Sequence, residues 1–204
     1  MTSPASPGAS PSPSPILSET SGGARESNAL PPVAQSSSRR FSWLLRPIRF
    51  EGCSGAHQFI FRILVQQFAV KVLVGIVIGF LLPDAGLADR TELLRQPFLA
   101  FFVLVMLCPP IETLLLQGAP IEVLRGLRLS RRLQLLLGSL PFAALHFVGG
   151  IGSGVAAGIV GGVFFNHTYL ECRSKSWWTS AWVTTATHSL HNLICLAVIL
   201  PFVT

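Results

Sequence analysis

The chain has 204 residues, of which 50% are apolar and only 12% charged, whereas a water-soluble domain carries about 25% charged residues. With a mean hydropathy of +0.57, that balance disfavours a cytosolic globular enzyme and makes lipid the expected solvent. The net charge of +6 is spread between apolar runs rather than gathered in one patch, so it argues against nucleic acid as a partner and reads as a topology signal.

Residues 1–40 hold seven prolines and eleven serines, with almost no aromatic or β-branched residues. Such a stretch buries too little surface to offset its ordering entropy, and a disordered cytoplasmic tail is expected. It lacks a basic segment followed by an apolar one, which argues against a cleaved signal peptide. Residues 41–63 open by mixing Phe41, Trp43 and Phe50 with Arg46 and Arg49, as a segment at a headgroup boundary does.

Residues 64–204 then read as a transmembrane domain with five apolar runs, 64–82, 98–116, 133–150, 151–165 and 177–203. A hydrocarbon core of about 30 Å takes about 20 residues of helix. The expected fold is therefore all-α: a polytopic bundle of about five spanning helices. Lys71, in the first run, is expected to snorkel. The basic residues before the first run, between the second and third, and between the fourth and fifth put the N-terminus in the cytoplasm. Cys172, beside that last basic loop, is expected to be reachable from the cytoplasm. The four cysteines form no CxxC pair, so neither a disulfide framework nor a cysteine zinc site is indicated.

The fourth run carries Gly150, Gly154, Gly158 and Gly162, a stripe that lets another backbone approach closely. It lacks the Lys-Ser/Thr end of a phosphate loop.

Polar residues inside the runs carry the functional information. An acidic side chain in a spanning segment costs at least about 2.5–3.5 kcal/mol on insertion scales, so Glu112 should face a protein interior or a wet cavity. Pro109 and Pro110 precede it and are expected to interrupt the helix, with Glu112 in the first turn of a fresh half-helix near its positive end. Phe142 and His146 share a face in the third run. In the fifth, His188 and Asn192 share a face, with His191 beside them. A carboxylate and two or three imidazoles from three helices have the make-up of a water-activating site, metal-bound or not. Counted from expected cytosolic ends at Gly118, Arg132 and Trp178, helical rise puts Glu112 at about 9 Å, His146 at about 21 Å and His188 at about 15 Å. Those are three different levels.

Over residues 98–203 the sequence resembles the CPBP family of intramembrane proteases, which includes the CAAX prenyl proteases and bacteriocin-processing or immunity proteins. Its Glu-Glu-x-x-x-Arg motif is matched by Glu112-Thr-Leu-Leu-Leu-Gln117, its Phe-x-x-x-His motif by Phe142-Ala-Ala-Leu-His146, and its His-x-x-x-Asn motif by His188-Ser-Leu-His-Asn192. Thr113 and Gln117 stand where the family has its second glutamate and its arginine. The pair reads as a charge-neutral replacement in which hydroxyl and carboxamide hydrogen-bond across i, i+4.

The resemblance implies hydrolysis of a peptide bond in a membrane-associated or lipidated substrate. Glu112 would act as general base, His146 would orient the water, and His188 with Asn192 would stabilise the oxyanion. A zinc ion held by Glu112, His146 and His188 is compatible with the donor types, so a metalloprotease and a glutamate-dependent protease both stay open. The rivals are a non-catalytic peptide-binding or immunity protein, a b-type haem protein with histidine axial ligands, and a small transporter.

Overall fold

The computed structural model describes residues 48–82 and 91–202. The expected tail, residues 1–40, lies outside the described residues, as do 41–47 of the expected headgroup segment. The described residues are helical throughout their ordered elements, with no strand among them. Five rods carry the fold: α1, Ala56–Leu81; α2, Pro97–Gly126; α3, Arg131–Phe147; α4, residues 151–172; and α5, Trp177–Ile199. Single turns Phe50–Gly52 and Thr91–Leu94 precede α1 and α2. The 26 residues of α1 and the 30 of α2 are each long and apolar enough to cross a membrane.

Inside and outside are exchanged relative to a soluble protein. Phe80 is 84% exposed and Phe98 83%, while Gln67, Thr113, Gln117, Asn166 and Thr184 are fully buried. Water does not hold that arrangement, because exposed apolar patches this extensive collapse or aggregate. Lipid does, since the outer side chains meet hydrocarbon and the polar ones meet each other. Hydrophobic transfer then contributes little between helices, and close packing has to hold the bundle.

The glycine stripe supplies that packing, as its spacing predicts. A Cβ on Gly154 would lie 2.2 Å from the Phe147 ring, and one on Gly158 would lie 2.9 Å from Ala143 Cα. α4 therefore rests on α3 almost backbone to backbone. Gly150, at φ 100°, makes the turn between them, a conformation that a side chain rarely adopts. Asn166 of α4 donates to Ser139 Oγ of α3 at 3.0 Å. The N-termini of α3 and α5 are capped by Ser130 and Ser176, whose hydroxyls accept from Leu133 and Thr179, satisfying donors that helix ends leave open.

α1 begins at Ala56, ahead of the first expected run, because Phe59, Ile60 and Ile63 pack with Cys172 and Val183. The same packing leaves Cys172 0% exposed. This corrects the expectation that its thiol is reachable. On the face where α2, α4 and α5 meet their loops, Glu122 accepts from Arg173 Nε at 2.6 Å and Nη2 at 3.2 Å. That hydrogen bond, opposed in part by burial, holds the Arg173 guanidinium above its ordinary pKa. Arg131 and Glu171 form a second ion pair, and Glu171 also accepts from the Phe50 N–H at 3.4 Å.

Candidate active site

The paired prolines do not break α2. Its backbone stays helical through Cys108–Glu112, and a π-helical turn precedes each proline site, Phe102–Leu107 ahead of Pro109 and Pro110 and Thr113–Gly118 ahead of Pro120. Glu112 therefore sits in mid-helix, not in a first turn as expected, and no helix N-terminus favours its charged form. Two consequences reach the site.

First, the π register hands a carbonyl to α5. The Cys108 N–H bonds to Val103 O, five residues back. Pro109 would continue that register to Leu104 O, but proline has no N–H. The released Leu104 carbonyl instead accepts from Asn192 Nδ2 at 2.8 Å. Asn192 thus ties α5 to α2 one turn from His188.

Second, Thr113 and Gln117 do not bond to one another. Both are fully buried, yet Thr113 Oγ1 and both polar atoms of the Gln117 amide lack a hydrogen-bond partner. The i→i+5 register of the turn moves residue i+4 off the face of residue i, so the expected i, i+4 hydrogen bond is not made.

All five helices reach a cavity of about 740 Å³, lined among others by Lys71 from α1, Glu112 from α2, His146 and Phe142 from α3, Phe165 from α4, and His188 and Asn192 from α5. The sequence-predicted residues are therefore brought together. The level mismatch disappears for Glu112, since α2 continues to Gly126. Counted from there, helical rise puts Glu112 about 21 Å deep, level with His146.

Within the cavity, Glu112 Oε2 and His188 Nε2 are 3.6 Å apart, with the two side chains 21% and 4% exposed. His188 Nδ1 is buried with no partner. An unmet lone pair is tolerated better than an unmet N–H, so the favoured neutral tautomer carries its proton on Nε2, facing the carboxylate. In His146, Nδ1 lies 2.9 Å from the Phe142 carbonyl. A carbonyl only accepts, so Nδ1 is the N–H and Nε2 keeps the lone pair. Aromatic faces fix both rings: His146 stacks on Phe142 at 4.3 Å, and His188 stacks on Phe165 at 4.2 Å and meets Phe142 edge-on at 5.6 Å.

The fit of a metal can be tested on this donor set. Among the described residues no three His, Cys, Asp or Glu side chains are grouped to hold a metal ion. The expected zinc set of Glu112, His146 and His188 is not assembled as ligands among them.

Sequence reasoning missed Lys71. It does not snorkel: its Nζ lies 2.8 Å from His191 Nε2, and it lines the same cavity. His191 stacks on Phe68 at 4.6 Å, and Cys195 Sγ lies 3.5 Å from the same Nε2. The available signal was periodicity, because Gln67 and Lys71 are four apart on one helix face.

Residues 94–194 match the family model described as type II CAAX prenyl endopeptidase Rce1-like. This segment is similar to the Rce1-like domain. The Rce1-like family is a family of membrane-embedded proteases, consistent with the CPBP resemblance and with the apolar exterior. Glu112, His146, His188 and Asn192 all fall inside the matched segment, while Lys71 and Cys195 fall outside it. No curated protein and no solved structure matches the chain.

Proposed function

We propose that this protein is an intramembrane endopeptidase in which Glu112 activates a water for attack on a peptide bond of a membrane-associated or lipidated substrate. The observation that carries this reading is the approach of Glu112 to His188 at 3.6 Å inside a cavity that His146 and Asn192 also line. That separation leaves a water room to touch both groups side-on, within hydrogen-bond range of each.

Glu112 takes a proton from the water as its oxygen adds to the scissile carbonyl carbon. The lone pair on His146 Nε2 accepts the water's other hydrogen and aims the oxygen. As the tetrahedral oxyanion forms, His188 Nε2–H donates to it, and the second amide hydrogen of Asn192 adds to the same field. Donors fixed before reaction and shielded from bulk water are each worth about 10²–10³ in rate. Glu112 then returns its proton to the leaving nitrogen, the C–N bond breaks, and the products are a carboxylic acid and an amine. Asn192 has a further part, since its bond to Leu104 holds α5 against α2 and so sets the distance between His188 and Glu112.

The basic loops support a multi-pass chain with five crossings and a cytoplasmic N-terminus. Because Cys172 is buried, the topology is better probed with a cysteine introduced at Ser174, which is exposed.

The deciding experiment is cleavage of dye-labelled lipidated peptides by purified full-length protein. Glu112→Gln, His146→Ala and His188→Ala are each expected to abolish cleavage while the proteins still insert and fold. His57→Ala and His167→Ala should leave it near normal, since His167 Nε2 is occupied with the Ile48 carbonyl at 2.9 Å. Peptide bound but never cleaved by the wild type would favour the non-catalytic binding reading, and full activity in Glu112→Gln would remove the proposed base.

A further inference from the structure

The cavity contains a cation that the water chemistry does not use. Lys71, on α1, faces His191 Nε2 at 2.8 Å. An ammonium only donates, so His191, unlike His188, receives this contact through its Nε2 lone pair and carries its proton on Nδ1, at the cost of an unmet N–H. That Nδ1 is buried and has no partner. Among the described residues no carboxylate lies within ion-pair distance of Lys71.

A cation kept in an apolar surrounding beside a neutral ring is costly, because the contact with His191 and the nearby Cys195 sulfur offset its desolvation only in part. If Lys71 served only to hold α1 on α5, an uncharged side chain would do so at lower cost. The ammonium is nonetheless fixed. His191 holds it, the His191 ring is itself clamped by Phe68, and Gly161 of α4 lies below, where an added Cβ would be 3.7 Å from Nζ. Two of its three N–H groups are not used by His191, and the residue lines the cavity that Glu112 and His188 line.

We infer that Lys71, positioned by His191, is the substrate-recognition cation of this cavity and takes a peptide carboxylate. This rests on the endopeptidase reading but reaches a residue, Lys71, outside the family-matched segment, which begins at 94 and ends at 194. His188 and His191 are three residues apart on α5, so their rings are neighbours along one face. A substrate whose carbonyl sits at His188 therefore brings its carboxylate to Lys71 only when that group lies a short way along the peptide. Lys71 is a specificity residue in this scheme. His191 is a positioning residue that acts through it.

The test is binding rather than turnover, in full-length Glu112→Gln protein so that no probe is consumed. A dye-labelled lipidated peptide is made with a free α-carboxylate, as its carboxamide, and as a carboxamide carrying one internal glutamate. Fluorescence anisotropy is expected to show the free acid bound about tenfold or more tighter than the plain carboxamide, the range of one charge-assisted contact. Lys71→Met, close in length and free of charge, should erase that preference by weakening the free acid more than the carboxamide, and Lys71→Arg should keep most of it. His191→Gln should reduce it without abolishing it. Tight binding of the glutamate-bearing carboxamide would assign the carboxylate to a side chain instead of the terminus, still through Lys71. Equal affinity for acid and carboxamide in the parent, or a preference that survives Lys71→Met, overturns the inference. A peptide bound with the Lys71-dependent preference but never cleaved by wild-type protein would instead defeat the endopeptidase reading and leave this subsite standing.

Discussion

Substituting one glycine tests whether the α3–α4 contact sets the active-site geometry. A Cβ placed on Gly158 would lie 2.9 Å from Ala143 Cα, 3.0 Å from the Ala143 carbonyl oxygen and 3.0 Å from His146 Cβ, against an ordinary contact of 3.4 Å or more. None of these atoms is the end of a flexible side chain, so α4 and α3 have to separate by about half an ångström at the turn that carries His146. Overpacking of this kind costs about 1–3 kcal/mol, and the better helix propensity of alanine returns about 1 kcal/mol. Gly158→Ala is therefore expected to lose on the order of 1 kcal/mol of stability. The effect on rate should be larger in proportion. A misplacement of about 1 Å can cost about 10²-fold, so half that shift should lower cleavage about tenfold. Gly161→Ala is the control, because its Cβ would meet Phe142 Cε1 at 3.4 Å and Phe165 Cε2 at 3.6 Å. That substitution should be neutral or slightly stabilising and leave the rate within about twofold. Unfolding in a graded detergent mixture reads stability, and initial cleavage rates read the site. If Gly158→Ala matched Gly161→Ala in both, the backbone contact would not be what positions His146.

Three further outcomes follow from the same geometry. Asn192→Ala orphans the Leu104 carbonyl and should cost about 0.6–2 kcal/mol of stability. Adding Pro109→Ala restores an N–H in the register that reaches Leu104, so the double variant should recover part of that loss, and the same unfolding assay checks both. Gln117→Met removes a buried amide with no partner and should raise stability by about 1–2 kcal/mol with cleavage retained, whereas Gln117→Arg should destabilise by burying an unpaired cation, unless Thr113→Glu accompanies it. Cleavage rates measured before and after treatment with a metal chelator are expected to agree, because no three ligands are grouped among the described residues; a loss restored by added zinc would show that the donors regroup.

Periodicity and composition by themselves pointed to lipid as solvent, to the helical fold and to the glycine face, and with the motif resemblance they singled out Glu112, His146, His188 and Asn192, which line one cavity. Each of these is written locally. A run of apolar residues, a glycine every four positions, or a histidine and an asparagine one turn apart can be read without knowing what they touch. What the chain does at its prolines was not legible, because proline only removes a donor. Whether the helix breaks or shifts to an i→i+5 register depends on what accepts the released bonds, and here the acceptor's partner, Asn192, is 88 residues away from Leu104. For the same reason Thr113 and Gln117 look paired in sequence and are not paired in space. Lys71 is the clearest case of a tertiary decision. A lysine near the end of an apolar run is expected to reach for the headgroups, and only the packing of α1 against α5, which puts His191 within 2.8 Å of its ammonium, turns it into the cavity instead.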